Sequence, residues 1–196
     1  MADITALRNR RAQNIANIAK TIGEQGQKQS YDDDRYWKLE AGKDGNGAAL
    51  IRFLDVTPDC DDIAPYVQIW KYSFKINGRW YIEKSLKSIN QDDPVYDLNG
   101  RLWQEAKGDK KHPSALQAKR HNRQLKYHSN ILVINDQKNP DNNGKVFLFE
   151  YGPQIFGKIN SKIAPSEEEK AVGAVSLPIF DYWEGHNFRL IMKSEE

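Results

Sequence analysis

Short segments rich in β-branched and aromatic residues recur along the chain from residue 47 onward. They lie at residues 47–56, 66–75, 79–85, 129–136, 144–152 and 186–194. Each is bounded by Gly, Pro, Asn or Asp, which is typical of β-strands separated by turns. The pattern therefore predicts a mainly β domain with five or six short strands.

Two turns connect neighbouring segments of this pattern. The sequence "INGR" contains Asn77-Gly78, a strong signal for a tight hairpin, and predicts that Phe74 and Trp80 lie near one another across the ladder. The longer "NPDNNGK" connects the fourth and fifth segments in the same manner. Two hairpins are thus expected.

Helical periodicity occurs in three places. Apolar residues between 4 and 22 share one helical face, and residues 23–34 form a polar Gly/Gln-rich linker. Residues 112–128 are expected to be helical in part, and residues 153–164 throughout. We therefore expect an N-terminal basic arm and linker over residues 1–35 and a core domain over 36–196, with an inserted basic, partly helical subdomain at about 86–128.

A small closed barrel of the oligonucleotide-binding (OB) kind accommodates this order of strands and helices. The order alone also fits a β-sandwich. Of the two, the inserted basic segment favours the OB-fold.

Composition is that of a globular protein of 196 residues with 39% hydrophobic residues and a mean hydropathy of −0.78. No apolar run approaches the length of a membrane span, and the N-terminus lacks the apolar core of a secretory signal. The expected location is the cytosol, with no membrane partner. The single cysteine, Cys60, lies in the acidic "PDCDD" and cannot form an internal disulfide.

Charge is unevenly distributed although the formal net charge is only +2. Residues 101–130 carry eight Lys/Arg against two acids, and residues 69–89 carry five against one. Residues 31–68 carry four bases against nine acids. The near-neutral total is a cancellation between strongly charged segments, which points to an anionic partner for the basic ones.

Catalytic and metal-binding signatures are absent from the sequence. The histidines, at 112, 121, 128 and 186, show no metal-ligand spacing, and there is no phosphate-binding loop or nucleophile elbow. The carboxylates of Asp32–Asp34 and Asp59–Asp62 lie in turn-rich loops, where solvated side chains are expected. We expect a protein that is not an enzyme and has no cofactor.

Cations and aromatic residues alternate within the basic segments, as in "IWKYSFKINGRWYIEK" and "KRHNRQLKY". Because successive side chains of a strand point to opposite faces, one face can present both types. Single-stranded nucleic acid requires this combination, since cations neutralise phosphates and rings stack on unpaired bases. Duplex readers usually present a helix to a groove instead.

The order of motifs along nearly the whole chain resembles the helix-destabilising, single-stranded-DNA-binding proteins of T-even-type phages. The resemblance is carried by "YWKLEAGKDGNGAALIRFLD", "FKINGRWYIEKS", "NILVINDQKNPDNNGKVFLFEYGPQIFGKIN" and "YWEGHNFRL". It implies an OB barrel beside a second subdomain, with DNA in a basic, aromatic cleft between them. It also implies a role in phage DNA replication, recombination and repair, in the cytoplasm of an infected bacterium.

Candidate nucleic-acid-binding residues follow from the basic, aromatic segments and from this resemblance. They are Lys71, Tyr72, Lys75, Arg79, Trp80, Tyr81, Arg101, Trp103, Lys119, Arg120, Arg123, Lys126, Tyr127 and Phe149. The resemblance places Lys75, Arg79, Trp80 and Tyr81 near the cleft, with Arg123 and Tyr127 opposite.

The chain departs from the resembled family at the metal site. That family holds zinc with one His and three Cys, whereas the matching positions here are Tyr72, Ser85, Asp93 and Tyr96. Tyr and Ser are not structural zinc ligands, so no metal is expected. Tyr72, Tyr96 and Trp103 are expected to fill the space.

The resemblance also names a partner for the N-terminal arm. Its bases, Arg8, Arg10 and Arg11, are expected to dock on the neighbouring copy along the DNA, as the arm of the resembled family does. Replication and recombination proteins are further expected partners. Two other functions stay open: a single-stranded RNA-binding translational repressor, which only contacts to the 2′-OH would distinguish, and a protein-interaction scaffold.

Overall fold

The computed structural model describes residues 33–57 and 63–194. The chain divides into two compact units, residues 1–34 and 35–196, and the elements described below belong to the second. The predicted arm with Arg8, Arg10 and Arg11, and the loop that contains Cys60 and Asp59–Asp62, lie outside the described residues. No helix in the described ranges is long and apolar enough to cross a membrane.

Seven strands and four helices form the described part of the chain. The strands are β1 (Tyr36–Trp37), β2 (Gly47–Phe53), β3 (Val67–Ile76), β4 (Arg79–Lys84), β5 (Gln124–Asp136), β6 (Val146–Tyr151) and β7 (Asn187–Met192). The helices are α1 (Pro94–Glu105), α2 (Pro113–Arg120), α3 (Pro153–Ile163) and α4 (Glu167–Ala171), with short 3₁₀ turns at Leu86–Ile89 and Pro140–Asn142. The prediction of a mainly β protein is confirmed.

The strands form one mixed sheet in which β5 is the central element. The main path runs β1-β6-β5-β2-β7, and β3 pairs with both β5 and β4. The pairs are antiparallel except β1 with β6, which is parallel. The first part of β5 pairs with β3, and its later part pairs with β2. A single 13-residue strand therefore connects the basic hairpin to the rest of the sheet.

The hydrophobic core lies where β2, β5 and β6 meet helix α3. Ile51, Phe53, Ile131 and Val133 are fully buried, as is Ile159 of α3. Each such side chain contributes about 1.5–3 kcal/mol by leaving water. The core anchors the C-terminal half of β5 and thereby fixes the strand from which the basic hairpin extends.

The β3–β4 hairpin has the turn that its sequence predicts. Asn77 and Gly78 adopt left-handed backbone angles, with φ of 49° and 79°, which suits a two-residue turn between twisted strands. The register pairs Lys75 with Trp80 and Phe74 with Tyr81. The expected proximity of Phe74 and Trp80 is corrected accordingly, because neighbouring positions of a ladder point to opposite faces.

The helical segments agree with the sequence only in part. Helix α3 matches its prediction and α2 occupies the first part of the expected 112–128 segment. Residues 124–128, however, are the start of β5, because they pair with β3 over Val67–Lys71. Helix α1 was not predicted.

Candidate nucleic-acid interface

One face of the β4–β3–β5 sheet presents four lysines, and we call it the lysine face. Lys71 lies opposite Lys84, and Lys126 lies opposite Ile69, which shares a face with Lys71 two residues away. Lys75, four residues from Lys71, has the same orientation because side chains alternate along a strand. The members of the lysine face are Lys71, Lys75, Lys84 and Lys126.

Exposed apolar side chains accompany these lysines. Trp80 lies directly opposite Lys75, and the Lys75 Nζ is 4.9 Å from the centroid of its ring. The indole is 61% exposed, and Ile82 on the same face is 58% exposed. An exposed ring held beside an ammonium group on a paired strand is a ready surface for stacking.

A carboxylate and a histidine lie at the edge of the lysine face. Glu150 of β6 accepts a hydrogen bond from Lys71 Nζ at 2.8 Å and lies 3.6 Å from the Nε2 of buried His128. Burial lowers the pKa of His128, and the charges of Lys71, Lys84 and Lys126 lower it further against the opposing effect of Glu150. The imidazole is therefore neutral at pH 7, and the positive potential of this face comes from its lysines.

The opposite face of the hairpin packs against the helical segment. Tyr72 and Phe74 are buried there, and the ring of Phe74 lies 5.0 Å from that of Tyr81 and 4.6 Å from that of His121. Tyr81 is therefore half-buried and shares its face with Arg79, which is exposed. The expected group of Lys75, Arg79, Trp80 and Tyr81 is thus divided between the two faces of one hairpin.

Asp93 is the centre of a buried hydrogen-bond cluster at the positions that the resemblance assigns to zinc. Its Oδ2 accepts hydrogen bonds from the Tyr72 hydroxyl at 3.1 Å, from the Ser85 hydroxyl, and from the Leu86 amide at 3.1 Å. Its Oδ1 accepts from the amides of Val95 and Tyr96 at 3.0 and 3.1 Å, which makes Asp93 the N-cap of α1. One carboxylate therefore joins β3, the end of β4 and the start of α1.

These residues do not fit a zinc ion. Burial by itself would raise the pKa of the Asp93 carboxyl, but the hydrogen bonds outweigh it and hold the pKa below its usual value. Burial raises the pKa of the Tyr72 phenol, which keeps it protonated and donating. Within the described ranges, no group of three or more His, Cys, Asp or Glu side chains is arranged to hold a metal.

Of the three aromatic residues expected to fill the zinc space, only Tyr72 is buried. Tyr96 and Trp103 are 44% and 41% exposed. The hydrogen bonds of Asp93, rather than these two rings, stabilise this part of the structure. All three residues line one surface cavity.

This cavity, the α1 cavity, has a volume of about 620 Å³ and lies between α1 and the segment before β5. Its walls bring together four candidates: Tyr72, Arg101, Trp103 and Arg123. The Arg123 guanidinium carbon lies 4.2 Å from the ring centroid of Trp70 and 4.6 Å from that of Tyr96. The orientation of Arg123 is therefore set by two rings before any ligand binds.

A second cavity of about 580 Å³ lies between the hairpin tip and α2. Lys75 and Arg120 contribute to its wall, together with Asn77, Leu116 and His121. Lys119, the remaining candidate on α2, points its Nζ to the carbonyl of Lys110 at 3.2 Å on the surface. Lys75 thus belongs to the lysine face and also lines this cavity.

Three of the predicted nucleic-acid-binding residues are buried in the interior, and the expectation that they contact the nucleic acid is corrected accordingly. Tyr127 stacks on Phe156 of α3 with ring centroids 3.9 Å apart, and Phe149 packs against Trp37. Tyr127 and Phe149 are both 6% exposed and Tyr72 is 1% exposed. Their ring faces are covered by protein and cannot stack on a base.

Sequence reasoning missed Lys84. Lys84 has the same two-residue alternation as Trp80 and Ile82, so the strand period alone could have identified it.

Comparison with known proteins identifies relatives of the whole described core. Residues 45–195 match the family model described as gp32 DNA binding protein like. Proteins named single-stranded DNA-binding protein from Enterobacteria phages T4 and T2 are each 36% identical over 182 residues, which is 93% of this chain and 57% of theirs. A protein of the same name from Escherichia phage SV14 is 42% identical over 72 residues, 37% of this chain and 61% of its own. The chain therefore spans 57% of the length of the T4 and T2 relatives that it matches.

Proposed function

Because the chain belongs to the gp32 DNA-binding-protein-like family, we propose that it binds single-stranded DNA without sequence preference and coats it. The lysine face is the single observation that carries this proposal. It combines four cations with an exposed indole on paired strands. Relatives named for single-stranded DNA binding support the choice of ligand.

The physical basis is the division of labour between charge and stacking. Lysines neutralise phosphates whatever the sequence, and Trp80 offers a ring on which any base can stack at about 1–3 kcal/mol. Because neither contact reads base identity, binding at this face is tolerant of sequence. A paired base is unavailable for such stacking, which favours single strands over duplex.

The finer architecture that we propose is an OB barrel with a basic inserted subdomain at about 86–128. The pairing of β5 with β2, β3 and β6 supports the barrel, since a single 13-residue strand is shared by three neighbours. Helices α1 and α2 provide the body of the insertion. Residues 1–35 form the separate arm of this proposal.

We further propose that binding is cooperative and serves replication, recombination and repair in the cytoplasm of an infected bacterium. Arg8, Arg10 and Arg11 of the arm are the proposed contacts between neighbouring copies, and replication proteins are proposed partners. The protein acts by binding rather than by catalysis. The names of its relatives support single-stranded DNA as the ligand, and their phage origin supports action in an infected cell.

Titration of labelled poly-dT, poly-rU and a duplex at two salt concentrations tests the proposal. We expect poly-dT to bind far more tightly than the duplex, with a log–log salt slope of about −2 to −3 if three or four lysines each neutralise one phosphate. Lys84→Ala should flatten the slope by about 0.7. Lys158→Ala, on an exposed position of α3 outside the lysine face, is the matched control and should not change it.

Three outcomes would contradict the proposal in different ways. A slope near zero with weak binding to all probes would favour a protein-interaction scaffold. Preference for poly-rU over poly-dT would favour an RNA-binding repressor. An equal effect of Lys84→Ala and Lys158→Ala would remove the lysine face from the interface.

A further inference from the structure

His128 is a buried histidine beside the lysine face. It lies on β5 two residues from Lys126, so both side chains point to the same side of that strand. Its side chain is 7% exposed, and in the described part of the chain its Nδ1 and Nε2 both lack a hydrogen-bond partner. Because buried polar atoms without partners are costly, the neutral ring gains little from its surroundings.

Glu150 connects this histidine to the lysine face. The register places it directly opposite His128, on β6. Its Oε2 accepts a hydrogen bond from Lys71 Nζ at 2.8 Å and lies 3.6 Å from His128 Nε2, which is too long for a hydrogen bond. One carboxylate oxygen is therefore bonded to a lysine and is also close to an unpaired ring nitrogen.

Binding of a phosphate to Lys71 would disturb this ion pair. The side chains of Lys71 and Glu150 are each 28% exposed, so the pair is in contact with solvent. A phosphate bound to the same ammonium group would lie near the Glu150 carboxylate, and the two negative charges would repel each other. The carboxylate then needs a second cation.

A protonated His128 can supply that cation. The charged and titratable groups that face its ring are Tyr36 of β1, Lys71 of β3, Lys84 of β4, Lys126 of β5 and Glu150 of β6. In the free protein, burial lowers the pKa of His128, and the three lysines lower it further. Phosphates would neutralise these lysines and release Glu150, and both changes favour the protonated ring.

We propose that Glu150 is an exchangeable counter-ion: a phosphate of the bound strand takes Lys71, and Glu150 then hydrogen-bonds a His128 that has taken a proton from solvent. This inference rests on the proposed function and adds that single-stranded DNA binds together with one proton. Since the complex holds more protons than the free protein, the affinity at constant salt increases as the pH falls below neutral.

Binding of oligo(dT) at several pH values tests the inference. The probe has about eight nucleotides, within the usual site size of such folds. Neither thymine nor a phosphodiester titrates between about pH 5.5 and 7.5, where histidine does. We expect the affinity to increase about three- to tenfold over this range as the pH falls.

Two further measurements on the wild-type protein follow the proton itself. Calorimetric titration in buffers of different ionisation enthalpy counts the protons taken up, and we expect about one half to one per bound protein near pH 6. NMR titration of the His128 ring protons, with and without oligo(dT), should show a higher pKa in the complex.

Variants assign the effect to the two residues. In His128→Asn the affinity should change less than about twofold over the same pH range, whereas His186→Asn, at an exposed position before β7, should keep the wild-type pH dependence. Glu150→Gln removes the competing carboxylate and should bind oligo(dT) about three- to tenfold more tightly at pH 7.5. Glu83→Gln is its matched control, because Glu83 is exposed on the opposite face of the hairpin, and should change the affinity less than about twofold.

Each result decides the matter. Wild-type binding to oligo(dT) without proton uptake, and with an unchanged pKa of His128, overturns the inference whatever the stability of the variants. A wild-type pH dependence in His128→Asn assigns the proton to another group and also overturns it. Equal affinities of Glu150→Gln and Glu83→Gln would show that Glu150 does not compete with the phosphate. If the wild-type protein does not bind oligo(dT) at any pH, the proposed function itself fails, and the inference fails with it.

Discussion

Replacing Asp93 by Asn tests whether a single carboxylate stabilises the junction of β3, β4 and α1. Asn keeps the shape and can still cap α1 through its one carbonyl oxygen. The other oxygen becomes an NH₂ group that faces Tyr72, Ser85 and the Leu86 amide. The two hydroxyls can rotate to accept a hydrogen bond, but the amide of Leu86 cannot.

The expected loss follows from this geometry. One buried amide left without an acceptor costs about 1–3 kcal/mol, and removing a negative charge from the N-terminus of α1 adds up to about 1 kcal/mol. We therefore expect a decrease of about 2–3 kcal/mol in the free energy of unfolding. For a domain of this size that corresponds to a decrease in Tm of about 5–10 °C.

Thermal and urea unfolding at several pH values measure the effect. Since the pKa of Asp93 is lowered in the folded state, its stabilisation is present at neutral pH and is lost as the pH falls through that lowered pKa. The difference between wild type and Asp93→Asn should shrink in the same range. Asp97→Asn, in the first turn of the same helix but exposed, is the control and should cost less than about 1 kcal/mol. Equal Tm values for wild type and Asp93→Asn at pH 7 would refute the reasoning.

Three further predictions follow from the same structure. A chelator should leave the Tm unchanged, and protein purified without added metal should contain no stoichiometric zinc; a full equivalent of zinc would show that the Asp93 cluster is not the resting arrangement. Trp80→Ala should weaken binding to oligo(dT) about five- to tenfold or more, without changing the salt slope, because a stacking ring carries no charge; a changed slope would contradict this role. Deleting residues 1–22 should leave binding to an oligomer one site long nearly unchanged and abolish cooperativity on long DNA; equal loss on both, with a lower Tm, would place the arm in the fold.

Most of the strands could be predicted because their signals are local, whereas β1 and the first five residues of β5 were missed. The turn at Asn77-Gly78 and the apolar segments on either side of it determine the β3–β4 register. Helix α1 was missed because few of its residues are apolar and only Leu102 is buried. Asp93 followed by Pro94 is an ordinary N-cap signal for a helix that begins at Pro94. Asp93 was instead interpreted only as the counterpart of a zinc ligand, so the start of α1 was not recognised.

The types of residue in the candidate site could be predicted from the sequence, but which of their side chains are exposed could not. Alternating cations and rings indicate that one face of a strand carries both, yet they do not say which rings face inward. Tyr127 is buried because Phe156, far along the chain, stacks on it, and no pattern near residue 127 reports that contact.

The unequal bonding of β4 and β5 has a mechanical consequence. In the described sheet β4 is bonded only to β3, whereas β5 is bonded to β2, β3 and β6. A force applied to β4, the outer strand of the lysine face, would separate β4 from β3. The hydrogen-bonded residue pairs between the two strands would break one after another, which requires only a low force. The same force applied along β5 would have to break its hydrogen bonds to β2, β3 and β6 at the same time. The β3–β4 hairpin can thus open under load while the core around β5 stays folded.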